Sequence, residues 1–148
     1  DELDRSIVEL LIQQQNLTPS EISRSLKASQ SKVWRRIKSL KDSGVLNGKQ
    51  VLIDIEKLGF GVTVFLGVKL ATKGRVSLID FEKAVTSIPE VQLVQHVLGL
   101  YDYRLRVVAK DISDFERVLR RRIMTLPGIG DVEANVLLSE ERRLGPIC

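Results

Sequence analysis

The sequence predicts an α+β chain, with an N-terminal helix-turn-helix domain followed by a C-terminal βαββαβ sandwich domain of ferredoxin-like arrangement. Three observations carry the prediction. A helix-start signal, Thr18-Pro19-Ser20-Glu21, opens a short helical stretch that a turn interrupts and a strongly basic helix resumes. A four-residue signature, Asp80-Phe81-Glu82-Lys83, returns 34 positions later as Asp114-Phe115-Glu116-Arg117. Apolar runs of strand length flank both copies.

The first helix is expected from Asp4 to Gln15, with Ile7, Leu10, Leu11 and Leu3 on one stripe. At the second, Thr18 can cap the amide of Glu21 while Glu21 reaches back, and Pro19 occupies the first helical position, where a missing N–H costs nothing. This helix runs to about Leu26 and offers Ile22 and Leu26 to a core. A turn through Lys27-Ala28 follows. Ser29 then caps a third helix that stops near Ser43-Gly44.

Between Ile22 and Leu40 stand Arg24, Lys27, Lys32, Arg35, Arg36 and Lys38 and no acidic residue. On a wheel of about 100° per residue, Val33, Ile37 and Leu40 form the buried seam of the third helix. Trp34 falls at the edge of that seam, where a packing role is expected ahead of the alternative, stacking on a base. Ser31, Lys32, Arg35, Lys38 and Ser39 occupy the outward arc. Small hydroxyl residues let a helix approach the floor of the major groove, and arginine can bond a guanine edge bidentately. The expected partner is double-stranded DNA, with Gln30, Ser31, Lys32 and Arg35 reading base edges and Ser29, Arg36 and Lys38 holding phosphates. The competing reading is a solvated basic face.

Asn47-Gly48 is a turn signal, and Val51–Ile55 reads as a linking strand. The expected domains are 1–48 for DNA binding, 49–61 as linker strand and hinge, and 62–148 for dimerisation and effector binding. Strands are expected at Val62–Leu70, Val91–Leu98, Tyr103–Ala109 and Val132–Leu138. Helix seams run through Leu78, Phe81, Val85 and Ile88, and through Ile112, Phe115, Leu119, Ile123 and Leu126. The order is the split βαβ arrangement, with both helices on one face of the sheet. Val62, Val64, Leu66 and Val68 on one parity, with Phe65 and Leu70 assigned to the other, predict a sheet apolar on both faces. Such a sheet calls for a partner, most simply a second copy in a homodimer.

Composition narrows the function. A net charge of +4 favours an acidic partner, and aromatic residues at 5% disfavour a base-stacking single-strand binder. No apolar run approaches a membrane span, and the acidic start Asp1-Glu2-Leu3-Asp4 is unlike a signal peptide. The single cysteine, Cys148, fits a cytoplasmic protein without a disulfide framework. One histidine and no metal-ligand spacing leave no basis for a zinc site, a cofactor or an enzyme, and His96 reads as a structural residue inside a strand. Arg117, Arg120, Arg121 and Arg122 read as a solvated face or a subunit contact before a second DNA surface.

Five segments taken in order resemble the Lrp/AsnC, or feast/famine, regulators: Leu3-Asp4-Arg5 with Ile7-Val8, Ser43-Gly44-Val45-Leu46-Asn47-Gly48, Gly99-Leu100-Tyr101-Asp102-Tyr103, Leu126-Pro127-Gly128-Ile129, and Val136-Leu137. The third is the most specific, similar to the family's Gly-x-Tyr/Phe-Asp-Tyr hairpin. The resemblance covers nearly the whole chain. It implies a homodimer, assembled in many members into octamers, and an amino-acid effector near the hairpin, with Gly99, Tyr101 and Asp102 as its contacts. Gly99 would admit a carboxylate to backbone amides and Asp102 would receive an ammonium, although Asp102 can equally cap the turn. Two departures stand out. Lys27 occupies a turn position where the family usually has glycine. Val132 and Ala134 replace polar residues on the last strand, so an effector lined by them would be apolar, such as leucine, and a regulator without effector, or an effector-independent architectural DNA-binding protein, is an alternative. The siroheme decarboxylases share the resemblance; that reading would use Arg104, Arg106 and His96 around a tetrapyrrole.

Overall fold

The computed structural model describes residues 1–48, 52–71 and 74–143, which form two compact units, one of Asp1–Leu52 with residues 141–143 and the other of Ile53–Glu140. The first unit holds α1 (Glu2–Gln13), α2 (Pro19–Leu26) and α3 (Gln30–Asp42). Helix α1 begins two residues earlier than expected because the Asp1 side chain accepts from the Asp4 amide at 2.8 Å, and it ends where Gln14 turns extended. Thr18 and Ser29 cap α2 and α3 by accepting from the amides of Glu21 and Lys32, at 3.2 and 3.3 Å. Apolar residues at helical spacing meet in one core: Ile7, Ile22, Val33, Ile37 and Leu40 are buried, with Leu3, Leu10, Leu11 and Leu26 packed around them. Lys27 closes the α2–α3 turn in the left-handed region, φ 53°, where a side chain costs about 1–2 kcal/mol that glycine avoids. Gly44 does the same after α3 at φ 83°, without that cost.

The expected linking strand is corrected. Leu52–Asp54 form no strand and Glu56–Leu58 make a single 3-10 turn; Val51 lies outside the described residues. An isolated extended segment has no neighbouring edge to receive its backbone hydrogen bonds. Leu52 and Ile53 are accordingly exposed.

The second unit runs β1 (Val62–Leu70), α4 (Arg75–Val85), β2 (Val91–His96), β3 (Tyr103–Ala109), α5 (Ile112–Val118) and β4 (Ile129–Val136). Its antiparallel sheet has the order β2-β3-β1-β4, the split βαβ topology. Both helices cover one face: Phe81, Val85 and Ile88 meet Phe115, Val118, Ile123 and Leu126 over Val64, Leu66, Val68, Leu70, Tyr103, Leu105 and Val107. Leu70 therefore shares the parity of Val64, Leu66 and Val68, contrary to the expectation that it faces the other way. The open face is mixed: register and alternation give it Thr63, Phe65 and Gly67 from β1, Arg104 and Arg106 from β3, and Glu133 and Asn135 from β4.

Helix α5 widens into a π turn, Leu119–Ile123, with Met124 N–H bonded to the Leu119 carbonyl at 2.8 Å. Phe115, Ile123 and Leu126 of the expected seam are buried. Val118 is buried, and Ile112, expected in the seam, is 54% exposed.

Candidate functional site

Helix α3 presents the first candidate surface. Ser29, Gln30, Ser31, Lys32, Arg35, Lys38 and Ser39 are all exposed, as the wheel requires once Val33, Ile37 and Leu40 are committed to the core. Ser29 spends a lone pair on the helix cap, which leaves its hydroxyl proton for an acceptor outside. The Gln30 amide donates to Ser20 Oγ at 3.0 Å and pins the start of α3 to the start of α2. Arg35 Nε donates to the Ser31 carbonyl at 3.4 Å along the helix.

Two residues of this helix have surroundings that the expectation did not contain. Arg36, expected to hold a phosphate, donates from Nε and an Nη to the two Asp4 oxygens at 2.8 and 2.6 Å, with Asp1 3.6 Å away. That bidentate bond holds the Asp4 carboxyl below its usual range and the guanidinium above its own. Arg36 is a strut between α1 and α3. Trp34, expected at the seam, is 55% exposed with Lys38 Nζ 5.6 Å from the centre of its ring. A wheel ranks directions; whether a flank is covered depends on neighbouring helices, which it does not contain.

The second candidate surface lies on the open face of the sheet. A cavity of about 270 Å³ is lined by Gly99, Leu100 and Tyr101 of the β2–β3 hairpin, Phe65 and Gly67 of β1, Arg104 of β3, and Glu133 and Asn135 of β4. Gly67 is required here, because a Cβ would stand 2.8 Å from the Tyr101 ring. That ring crosses β1, and its hydroxyl donates to Glu133, a bond that with partial burial raises the phenol's pKa. Arg104 lies over the Phe65 ring at 4.8 Å. The cavity thus carries one cation and one carboxylate on apolar walls.

Of the three expected effector residues, Gly99 and Tyr101 line this cavity and Asp102 does not. Asp102 Oδ2 accepts from the Leu70 amide at 2.8 Å, while its own N–H bonds the Val68 carbonyl and its carbonyl accepts from Val97. Those bonds end β2 at His96 and clamp the hairpin to β1. The departure seen at Val132 and Ala134 falls on the wrong parity: they pair with Val68 and Leu66 toward the helices, and the cavity side of β4 offers Glu133 and Asn135, which sequence reasoning missed. The signal existed in the alternation of β4, but its phase needed the register.

The tetrapyrrole reading also fails on parity. His96 pairs with Tyr103 and stacks on its ring at 4.8 Å, whereas Arg104 occupies the opposite face. Tyr103 donates to Glu82, and burial first, then that bond, raises its pKa. Among the described residues no three metal-ligating side chains cluster, and no helix is long and apolar enough to cross a membrane. The arginine cluster is laced to acids: Arg117 to Asp114, Arg120 to Glu116 and Arg122 to Glu90.

A helix-turn-helix with an exposed cationic helix, carried in one chain with a βαββαβ domain, is the arrangement of a DNA-binding transcriptional regulator. Profile comparisons agree: a winged helix-turn-helix DNA-binding profile matches residues 1–47, and the Lrp/AsnC ligand binding domain matches residues 63–146. The chain belongs to the Lrp/AsnC family. It is 31% identical to the DNA-binding transcriptional activator DecR of Escherichia coli, over 95% of this chain and 92% of that protein. It is also 31% identical to the glutamate uptake regulatory protein of Zymomonas mobilis, over 95% and 85%. A Neisseria meningitidis transcriptional regulator solved with L-Met superposes with a TM-score of 0.88 at 26% identity, over 97% of this chain and 93% of that one. These relatives are regulators, and none of the three is named as an enzyme.

Proposed function

We propose that this protein regulates transcription by binding duplex DNA sequence-specifically as a homodimer, through α3, and that an amino acid held beside Tyr101 modulates it. The observation that carries the reading is the outward arc of α3: Ser31, Lys32, Arg35 and Lys38 all stand exposed, on a helix braced by Arg36–Asp4 and Gln30–Ser20. A braced helix loses little entropy on docking, so its cations act on DNA from fixed positions. Gln30, Ser31, Lys32 and Arg35 read base edges; Ser29 and Lys38 hold phosphates. Arg36 is removed from the phosphate set.

The domain from Val62 to Leu138 joins the two copies, and two-fold symmetry sets the half-sites about 10–10.5 base pairs apart or a multiple of that. Octamers built from such dimers are the family's further option. For the effector, a cavity below the roughly 300–1,000 Å³ of drug-sized sites suits one amino acid. Glu133 meets its ammonium, Arg104 its carboxylate, and Phe65 and Leu100 its side chain. The L-Met bound to the Neisseria relative supports an amino-acid ligand.

Duplexes selected from a random library test the DNA reading. Arg35→Ala should cost about 1–3 kcal/mol and relax preference at one base pair. Lys38→Ala should weaken all duplexes alike. Parent-like binding by both variants means that α3 is not the reader. A protein that sediments as a monomer at micromolar concentration and still binds tightly rejects the dimer. Calorimetry that shows no heat from any of the twenty amino acids rejects the effector.

A further inference from the structure

Trp34 is the exposed aromatic residue of a helix whose other apolar side chains are buried: Val33 0%, Ile37 9% and Leu40 7% against Trp34 55%. It lies about 100° from the centre of the buried seam, on the flank it shares with Ser31, Lys38 and Lys41 one and two turns away. When the outward arc of α3 faces the floor of the major groove, this flank faces a wall of deoxyribose carbons and phosphates. That surface is apolar and anionic together. The Trp34–Lys38 pair, an indole with an ammonium 5.6 Å from its ring centre, is its complement. A second copy of the same flank would bring its exposed lysines against Lys38 and Lys41, so like charges oppose that occupant.

We propose that Trp34 is a DNA contact, its indole lying against the sugar–phosphate wall of the groove while Lys38, held over the ring, takes the adjacent phosphate. The inference rests on α3 being the DNA-binding helix and adds to it an apolar contact that the charge pattern does not contain. The contact strengthens binding without selecting a base.

The chain has one tryptophan, so its fluorescence reports this position alone. In the full-length protein without DNA the indole should emit as a solvated group and be quenched freely by acrylamide. At saturation with a random-sequence duplex at low salt, with binding followed independently by the anisotropy of labelled DNA, the emission should shift and the quenching fall. Trp34→Ala should bind every duplex about tenfold more weakly, the scale of about 55 Å² of apolar area, roughly a quarter of an indole, removed from water, with an unchanged melting curve, and Trp34→Phe should recover most of the loss. Unchanged emission and quenching at saturation overturns the proposal. So does shielding before DNA is added, which means that a second copy covers the ring. If uracil in place of thymine erases the defect of Trp34→Ala, the contact is a thymine methyl and the wall assignment is wrong. Failure of the parent to bind any duplex overturns the DNA-binding reading itself, and this contact with it.

Discussion

In the helical unit the candidate site lies on one helix; in the sheet unit it is assembled from three strands and a hairpin. The outward arc of α3 follows from Val33, Ile37 and Leu40 pointing inward, a relation internal to thirteen residues. The cavity beside Tyr101 depends on Phe65 of β1 pairing with Asn135 of β4, and Gly67 with Glu133, across nearly seventy residues of chain. A slip of one position would turn Val132 and Ala134 into the cavity and Glu133 and Asn135 toward the helices. A single-helix site can be read with a wheel, whereas a multi-strand site cannot be read before its register is known.

The cores differ in the same direction. Five buried apolar residues hold the helical unit, and fifteen hold the sheet unit among the described residues. The largest expected effect is therefore on the sheet. Phe81→Ala, which removes a fully buried ring packed 4.8 Å from Tyr103, should cost about 3–5 kcal/mol. The one tryptophan lies in the helical unit and both tyrosines in the sheet unit, so near-ultraviolet dichroism separates the two transitions. A drop seen equally by Trp34 and by the tyrosines would show that the units do not melt independently.

The second prediction tests the parity of β4. Glu133→Gln should weaken an amino-acid ligand by about tenfold, the scale of a charge-assisted bond reduced to a neutral one, while Val132→Thr should leave affinity within about twofold. Calorimetry with the ligand that gives heat decides it, and the reverse order would restore an apolar, Val132-lined pocket.

A smaller gain is expected at the α2–α3 turn. Lys27→Gly relieves a left-handed side chain and should raise the Trp34-monitored stability by up to about 1 kcal/mol, after the added freedom of the unfolded glycine chain is subtracted. Loss of stability on that change would mean that the lysine side chain holds the turn.

The smallest effect concerns pH. The folded Asp4 carboxyl lies below its unfolded value because Arg36 bonds it, so its contribution is present above the ordinary carboxylate range and disappears as pH falls through the folded value. Acid titration of the Trp34-monitored melt should flatten in Asp4→Asn. An identical acid limb in parent and variant would mean that Asp4 and Arg36 do not brace the helices.

Much of the architecture was legible in sequence. The caps Thr18 and Ser29, the repeated Asp-Phe-Glu signature and the extents of β1 and β3 are local patterns, and local patterns survive folding. What was not legible depends on partners distant in sequence. Arg36 looked like one more cation until Asp4, 32 positions earlier, was found against it. Asp102 looked like a ligand for an ammonium until the Leu70 amide took one of its oxygens. Trp34 looked buried because its helix had an apolar seam, and the neighbouring helices do not reach that flank. The linking strand at Val51–Ile55 was read from residue type alone, and Leu52–Asp54 adopt no strand.

The contrast between Lys38 and Arg36, two cations two residues apart on α3, tests the central claim most directly. The measurement is the slope of log affinity against log salt for a selected duplex, taken for the parent, Lys38→Ala and Arg36→Ala. Removing one phosphate-binding cation should flatten that slope by about 0.9. Lys38→Ala is expected to flatten it by about that amount with an unchanged melting temperature, while Arg36→Ala keeps the parent's slope and melts lower. A flattened slope in Arg36→Ala, with Lys38→Ala indistinguishable from the parent, would contradict the claim.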